Sequence, residues 1–380
     1  MDFSVDEYQR RVEAAQRLMR TEGFDALLFT SEAEIRYFSG FRTQFWQSPA
    51  RPWFLIVPVE GAPIAVIPEI GADLMRRGWI DDVRVWLSPA KHDDGLSLLA
   101  SALEGFETVG MPMGRESQLR MPLRNFFYLQ QRLRHIQFVD CSALMTDLRF
   151  VKSEAEIDLI EKACSRACDA FDRAPDLFHA GQPVDEVFRA FKMTLLEAGL
   201  DDVPYLVGGK GPTGYVDVIS PPSREPLRPG DVLMLDTGAT VNGYFCDFDR
   251  NFAVERASDA VQRAHETLWL ATQAGLEAAR PGASCADVFA AMHVVIARSE
   301  QTAETGGVGR YGHGLGMQLT EQPSIIDWDE TVLREGAVIT LEPSMTVSGG
   351  GMLVHEENIV IRDGEAQLLT RRAPRELVAI

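Results

Sequence analysis

The sequence has no apolar run approaching the roughly 20 residues that a membrane-spanning helix requires, so no membrane partner is expected. Its start, MDFSVDEYQRRVEAAQRLMR, mixes charge with apolar residues and carries no signal-peptide hydrophobic stretch, from which a cytoplasmic protein is expected. Cysteine is sparse: Cys141, Cys164, Cys168, Cys246 and Cys285, five in 380 residues and without a CxxC pair, argue against a disulfide framework or a zinc knuckle. Cys164 and Cys168 are one helical turn apart and read as small buried packing residues. Positive charge is also short. With 37 Lys and Arg against 56 Asp and Glu, a formal charge of -19 repels nucleic-acid phosphates and anionic lipid, which disfavours both as partners. There is no repeat period, low-complexity tract or proline-rich linker; glycine-rich GGKGPTG and SGGG mark loops or turns.

What is present is a hydrophobic content of 46%, enough for a large core and, as a prior, two domains. Residues 5 to 21 place Tyr8, Val12, Ala15, Leu18 and Met19 on one helical face, and DALLFT, PWFLIVPV, PIAVIP and HIQFVD read as aliphatic strands. With helices over 95 to 104 and 117 to 133, this predicts a smaller α/β domain over residues 1–142. A capping-box signature at Ser153 and Glu156 then opens a long helical period. Helices near 183 to 199, 257 to 278 and 284 to 299 alternate with strands over 231 to 254 and 336 to 363, an α+β pattern for residues 143–380.

The residues able to do chemistry concentrate in this second half. DVLMLDTGATVNGYFCDFDR holds two apolar runs around Asn242-Gly243, a strong hairpin signal. Folding there brings Asp236 near Asp247 as facing positions with Cβ atoms about 5 Å apart, where two carboxylates repel unless a cation or proton intervenes. A hairpin with two solvated aspartates is the other reading. AVITLEPSM and GMLVHEENIVI flank Gly349 to Gly351 and put Glu342 and Glu356 at comparable depth on paired strands. A lone carboxylate in so apolar a strand as that of Glu342 is costly without a partner. Glu357 alternates to the opposite face, and His355 turns away from the acids in the same manner. In YGHGLG, glycines on both sides of His313 let a metal approach the imidazole closely. Four carboxylates and an imidazole together suit two divalent ions, with hard donors favouring Mn, Fe, Co or Zn.

The ordered set LDTGATVNGYFCDFDR, GHGLG, TLEPSM and HEENIVI resembles the creatinase, aminopeptidase P and prolidase family, and LRFVKSEAEIDLIEKA resembles the opening of its catalytic domain. The resemblance covers most of the chain. It implies a pita-bread catalytic domain behind a smaller N-terminal domain, a homodimer, and five metal ligands at Asp236, Asp247, His313, Glu342 and Glu356. Glu342 is then also the proton carrier, working on a water made acidic by two metals. Creatinase itself lacks the full metal set, so the intact set implies a metal-dependent member.

This chain departs from the family in its histidines outside the metal set. At the positions where the family's peptidases carry them stand Ser220, Gly309 and Thr320, and a hydroxyl cannot carry positive charge to an oxyanion. Ser220 and Thr320 are therefore candidate substrate contacts. Arg42, Trp46, Arg51 and Trp53 combine guanidinium forks with aromatic planes and offer a second set, for which interface packing is the alternative. Tyr215, with Tyr205 and Lys210, lies on the approach to the first hairpin. His92, His135, His179, His265 and His293 fall outside the motifs. The leading expectation is a dinuclear hydrolase of a peptide-like C–N bond, acting on a short peptide or related small molecule. The alternatives are a lyase or amidine hydrolase on the same fold, or a non-catalytic binding protein.

Overall fold

The computed structural model describes residues 2–48, 50–91, 93–299 and 309–380, so His92 lies outside it. The chain divides into two units, Met1–Arg149 and Phe150–Ile380. The dividing point falls at the end of the helix Ser142–Phe150, seven residues past the boundary expected after residue 142. That helix belongs with the first unit because its end is tied there: Tyr37 Oη donates to Leu148 O at 3.1 Å and Arg149 Nη1 lies 3.5 Å from Glu34 Oε1.

The first unit is built on the strands β1 Ala26–Phe29, β2 Phe54–Pro58, β3 Ile64–Pro68, β4 Asp82–Trp86, β5 Thr108–Met111 and β6 Gln137–Asp140. They form one mixed sheet in the order β4-β3-β2-β1-β5-β6. Its central strands are aliphatic and buried along their length, as a sheet covered on both faces demands. Ser4 caps the first helix by accepting from Glu7 N, and Gly23 ends it in the left-handed region at φ 79°. The helix expected over 117 to 133 starts only at Leu123, because Pro122 immediately before it has extended geometry that the preceding chain cannot continue as helix.

The second unit carries β7 Asp202–Gly211, β8 Val232–Val241, β9 Tyr244–Ala253, β10 His313–Gly314, β11 Glu321–Ser324, β12 Val338–Leu341, β13 Ser344–Thr346, β14 Met352–Val354, β15 Glu357–Val360, β16 Gln367–Leu368 and β17 Val378–Ala379. Two larger sheets result, β17-β9-β8-β7 and β11-β10-β12-β15-β16, with β13-β14 as a separate ribbon. The capping box is formed: Ser153 accepts from Glu156 N while the Glu156 carboxylate accepts from Ser153 N. Helices Asp259–Ala278 and Cys285–Ala297 bury Leu268, Val288 and Met292 in a core shared with Ile339, Leu341 and Leu353. One side chain stitches the sheets together. Asn358 on β15 accepts from Asp247 N at 2.9 Å and returns its amide to Asp247 O, imitating a backbone ladder across the gap.

A candidate metal centre

The Asn242-Gly243 turn forms with both residues at positive φ, 46° and 70°, the geometry a two-residue hairpin prefers. It fixes Val241 opposite Tyr244, and counting back along the strands sets Asp236 opposite Asp249 and Asp247 opposite Gly238. Asp236 and Asp247 are thus diagonal neighbours on one face, with Cα atoms about 7–8 Å apart, and not the directly facing pair the sequence suggested. A Cβ at Gly238 would displace the tip of the Leu319 side chain.

The second hairpin is interrupted where its acids sit. β12 pairs with β15 as far as Leu341 and Glu357, and β13 pairs with β14 from Ser344 and Val354 onward. Pro343 has no N–H to continue the ladder, so Glu342 and Glu356 occupy the gap between the two ladders. Glu342 N donates instead to Tyr311 O at 3.0 Å, and His355 N donates to Pro343 O at 3.2 Å. Glu357 does turn to the other face, where it meets Arg250 Nη2 at 3.0 Å. His355 turns from the acids to Thr272, its Nδ1 3.1 Å from Oγ1.

His313 completes the group. Its Nδ1 lies 2.9 Å from Gly314 O and donates to that carbonyl, which leaves Nε2 with a lone pair. That nitrogen is 3.4 Å from Asp247 Oδ2, two electron-rich atoms facing each other. One donor atom each from Asp247, His313 and Glu356 lies within 4.8 Å of the others, and all three residues are buried. Asp236 Oδ1 and Glu356 Oε1 are buried and accept no hydrogen bond from the protein. Burial, followed by the charge of Asp247, pushes the pKa of both Asp236 and Glu356 well above the ordinary carboxylate range. Burial likewise raises Asp247 and Glu342. Carboxylates gathered at such cost, two with unpartnered oxygens and one 3.4 Å from the imidazole nitrogen of His313, fit divalent cations.

Two further residues reach this centre. Tyr205 Oη donates to Asp236 Oδ2 at 3.2 Å, and burial with the surrounding acids keeps its phenol protonated. Arg310 was not singled out from the sequence. Its Nε lies 3.7 Å from Glu342 Oε1, its charge lowers the pKa of Asp247 and Glu342, and Nη2 reaches Thr320 Oγ1 at 3.5 Å. The signal available was its place three residues before His313 in GRYGHG, a lone cation among glycines.

The other expected substrate contacts are dispersed. Tyr215 is buried in the core and its hydroxyl accepts from Val354 N at 2.5 Å, so it is a packing residue and not a substrate contact. Lys210 is taken by Asp231 at 3.2 Å. Ser220 is exposed in a turn where its N–H donates to Asp217 Oδ1. In the first unit Trp46 is buried against Phe41 and Trp53, with the Arg120 guanidinium over its ring, so packing accounts for it. Arg51 Nε donates to Ser88 Oγ at 3.1 Å, and Arg42 stays 41% exposed beside Asp2.

Comparisons with known proteins place the chain in a family of metallopeptidases. Residues 158–363 match the model of metallopeptidase family M24, and residues 11–151 match the creatinase/prolidase N-terminal domain. The probable dipeptidase PepE of Mycobacterium tuberculosis is 27% identical over the whole of this chain and 98% of its own length. The Xaa-Pro dipeptidase of Pyrococcus horikoshii is 26% identical over 98% of this chain and all of its own. The crystal structure of dipeptidase PepE from Mycobacterium ulcerans superposes with a TM-score of 0.85 at 27% identity, covering 100% of this chain and 99% of that one. With the family model spanning more than half of its length, the chain belongs to metallopeptidase family M24, preceded by a creatinase/prolidase N-terminal domain.

Proposed function

We propose that the protein is a dinuclear metallopeptidase that cleaves short peptides of the Xaa-Pro type. The observation that carries this reading is the apposition of Asp247, His313 and Glu356 beside the unpartnered oxygens of Asp236 and Glu356. Asp236, Asp247, His313, Glu342 and Glu356 hold the two ions, and the oxygen-rich donor set favours manganese, with iron, cobalt or zinc as alternatives. When bound, the ions supply a hydroxide near neutral pH and polarise the scissile carbonyl.

The chain's own groups do the rest. Glu342, 13% exposed beside Arg310, takes the proton of the attacking water and delivers it to the leaving nitrogen. Arg310 supplies, beside Glu342 and Thr320, the positive charge that neither Ser220 nor Thr320 can carry, and so stabilises the anionic oxygen of the tetrahedral intermediate. Tyr205 orients Asp236 through its hydroxyl. The names of the relatives favour a peptidase over a lyase, an amidine hydrolase or a binding protein.

Among the described residues no helix is long and apolar enough to cross a membrane, and all five cysteines are free and buried. We read the protein as a cytoplasmic homodimer, the first from its unpaired cysteines and the second from its family. The test is hydrolysis of an Xaa-Pro dipeptide and tripeptide panel by manganese-reconstituted protein, with Asp236→Ala as control. Turnover lost in the control supports the reading. Absent turnover despite bound metal overturns the peptide substrate.

A further inference from the structure

A cavity of about 330 Å³ opens in the second unit among residues to which the proposed reaction gives no role. Its size is at the lower end of the roughly 300–1,000 Å³ typical of small-molecule pockets. Phe171 and Phe252 form an apolar wall, while His265, His355, Asn251 and Arg372 bring polar atoms to it.

The hydrogen bonds around these side chains fix which atoms are left over. Thr272 Oγ1 donates to Leu268 O at 3.0 Å, so it accepts from His355 Nδ1–H, and in the neutral ring His355 Nε2 is a bare acceptor. His265 Nε2 donates to Pro374 O at 3.1 Å, which leaves its Nδ1 bare. Asn251 spends both amide hydrogens, on Asp249 Oδ2 at 2.6 Å and Val354 O at 2.7 Å, so its orientation is set and Oδ1 is the atom left over. All three acceptors are buried without a partner, in residues 2%, 3% and 7% exposed. The imidazole centroids are 5.7 Å apart, close enough for one ammonium group to reach both rings. A single donor is left over as well: Arg372 lies over the Trp269 ring at 3.5 Å, bonds Trp269 O and Gln273 through its terminal nitrogens, and keeps a buried Nε–H unpaired.

Three orphan acceptors, one orphan cationic donor and an apolar wall describe a compact zwitterion. Leaving such groups unsatisfied is costly, and a matching ligand recovers that cost. We propose that this cavity binds a free α-amino acid with an apolar side chain. The ammonium donates to His265 Nδ1, His355 Nε2 and Asn251 Oδ1, the carboxylate accepts from Arg372 Nε, and the side chain lies on Phe171 and Phe252. The inference stands apart from the peptidase reading, since it uses none of the five acid and histidine residues of the metal centre.

The test reads His265 directly. In zinc-loaded, nitrogen-15 histidine-labelled protein, the side-chain signal that disappears in His265→Phe identifies the bare Nδ1 resonance. Addition of L-leucine moves that resonance upfield as the nitrogen accepts a hydrogen bond, whereas N-acetyl-leucine, which has no ammonium group, leaves it in place. Ala373→Leu, which narrows the cavity while keeping both imidazoles, weakens the leucine effect at least tenfold. A resonance unmoved by L-leucine up to its solubility means that the cavity holds water alone and overturns the proposal, as does an equal shift with N-acetyl-leucine. The ligand series needs only the unmutated protein, so misfolding of a variant does not remove the test.

Discussion

Arg310 Nε stands 3.7 Å from Glu342 Oε1, a guanidinium held against the residue assigned to move the proton. Its Nη2 is 3.5 Å from Thr320 Oγ1, so the cation sits where the hydroxyl alone offers no charge. Removal of one preorganised oxyanion donor typically costs about 10²–10³ in turnover. Arg310→Ala is therefore expected to lower kcat by about that factor at unchanged metal content, with Arg310→Lys recovering part of it. Steady-state kinetics alongside metal analysis checks this, and a variant that keeps full kcat removes Arg310 from the mechanism.

Tyr205 donates to Asp236 Oδ2 at 3.2 Å and leaves Oδ1 for a cation. Loss of a partner that orients a ligand commonly costs about 10- to 100-fold in metal affinity. Tyr205→Phe should weaken metal binding by about that amount in a calorimetric titration, with little change in the melting temperature of the stripped protein. Unaltered affinity would mean that the phenol does not orient the carboxylate.

Metal removal should make stability depend on pH in a particular direction. Burial raises the pKa of Asp236, Asp247, Glu342 and Glu356 in the metal-free fold. A raised carboxylate pKa means that the folded state keeps protons the unfolded state has released. Its contribution to stability is complete below the unfolded value of about 4 and is lost as pH climbs through the folded values. Chelator-stripped protein is thus expected to melt at progressively lower temperature as the pH is raised above the unfolded value, while bound cations flatten this slope by replacing the protons. Thermal melts in both states decide it; a stripped protein as stable at the upper pH as at the lower contradicts the assigned cause.

Much of this centre was legible in the chain because local chemistry dictated it. Asn242-Gly243 announced a hairpin and Ser153 and Glu156 a helix start, while the glycines around His313, read as room for a metal at the imidazole, also serve a close approach of backbone to backbone: a Cβ at Gly312 would strike Thr340 O. The diagonal placing of Asp236 and Asp247 needed only the turn to be counted correctly. What could not be read were relations made by tertiary folding alone. The distance from Arg310 to Glu342, the Asn358 clasp on Asp247, and the burial of Tyr215 and Trp46 carry no period or spacing that marks them. The end of the first unit at Arg149 could not be read for a similar reason. Nothing local in the helix Ser142–Phe150 states that Leu148 and Arg149 will meet Tyr37 and Glu34.

The central claim is that these five side chains build a two-ion centre, and counting ions tests it most directly. Mass-spectrometric metal analysis of manganese-reconstituted, desalted protein is predicted to find two ions per chain, falling in Asp236→Ala and Glu356→Ala together with peptide hydrolysis while circular dichroism stays unchanged. Two ions and full hydrolysis retained in either variant would contradict the account.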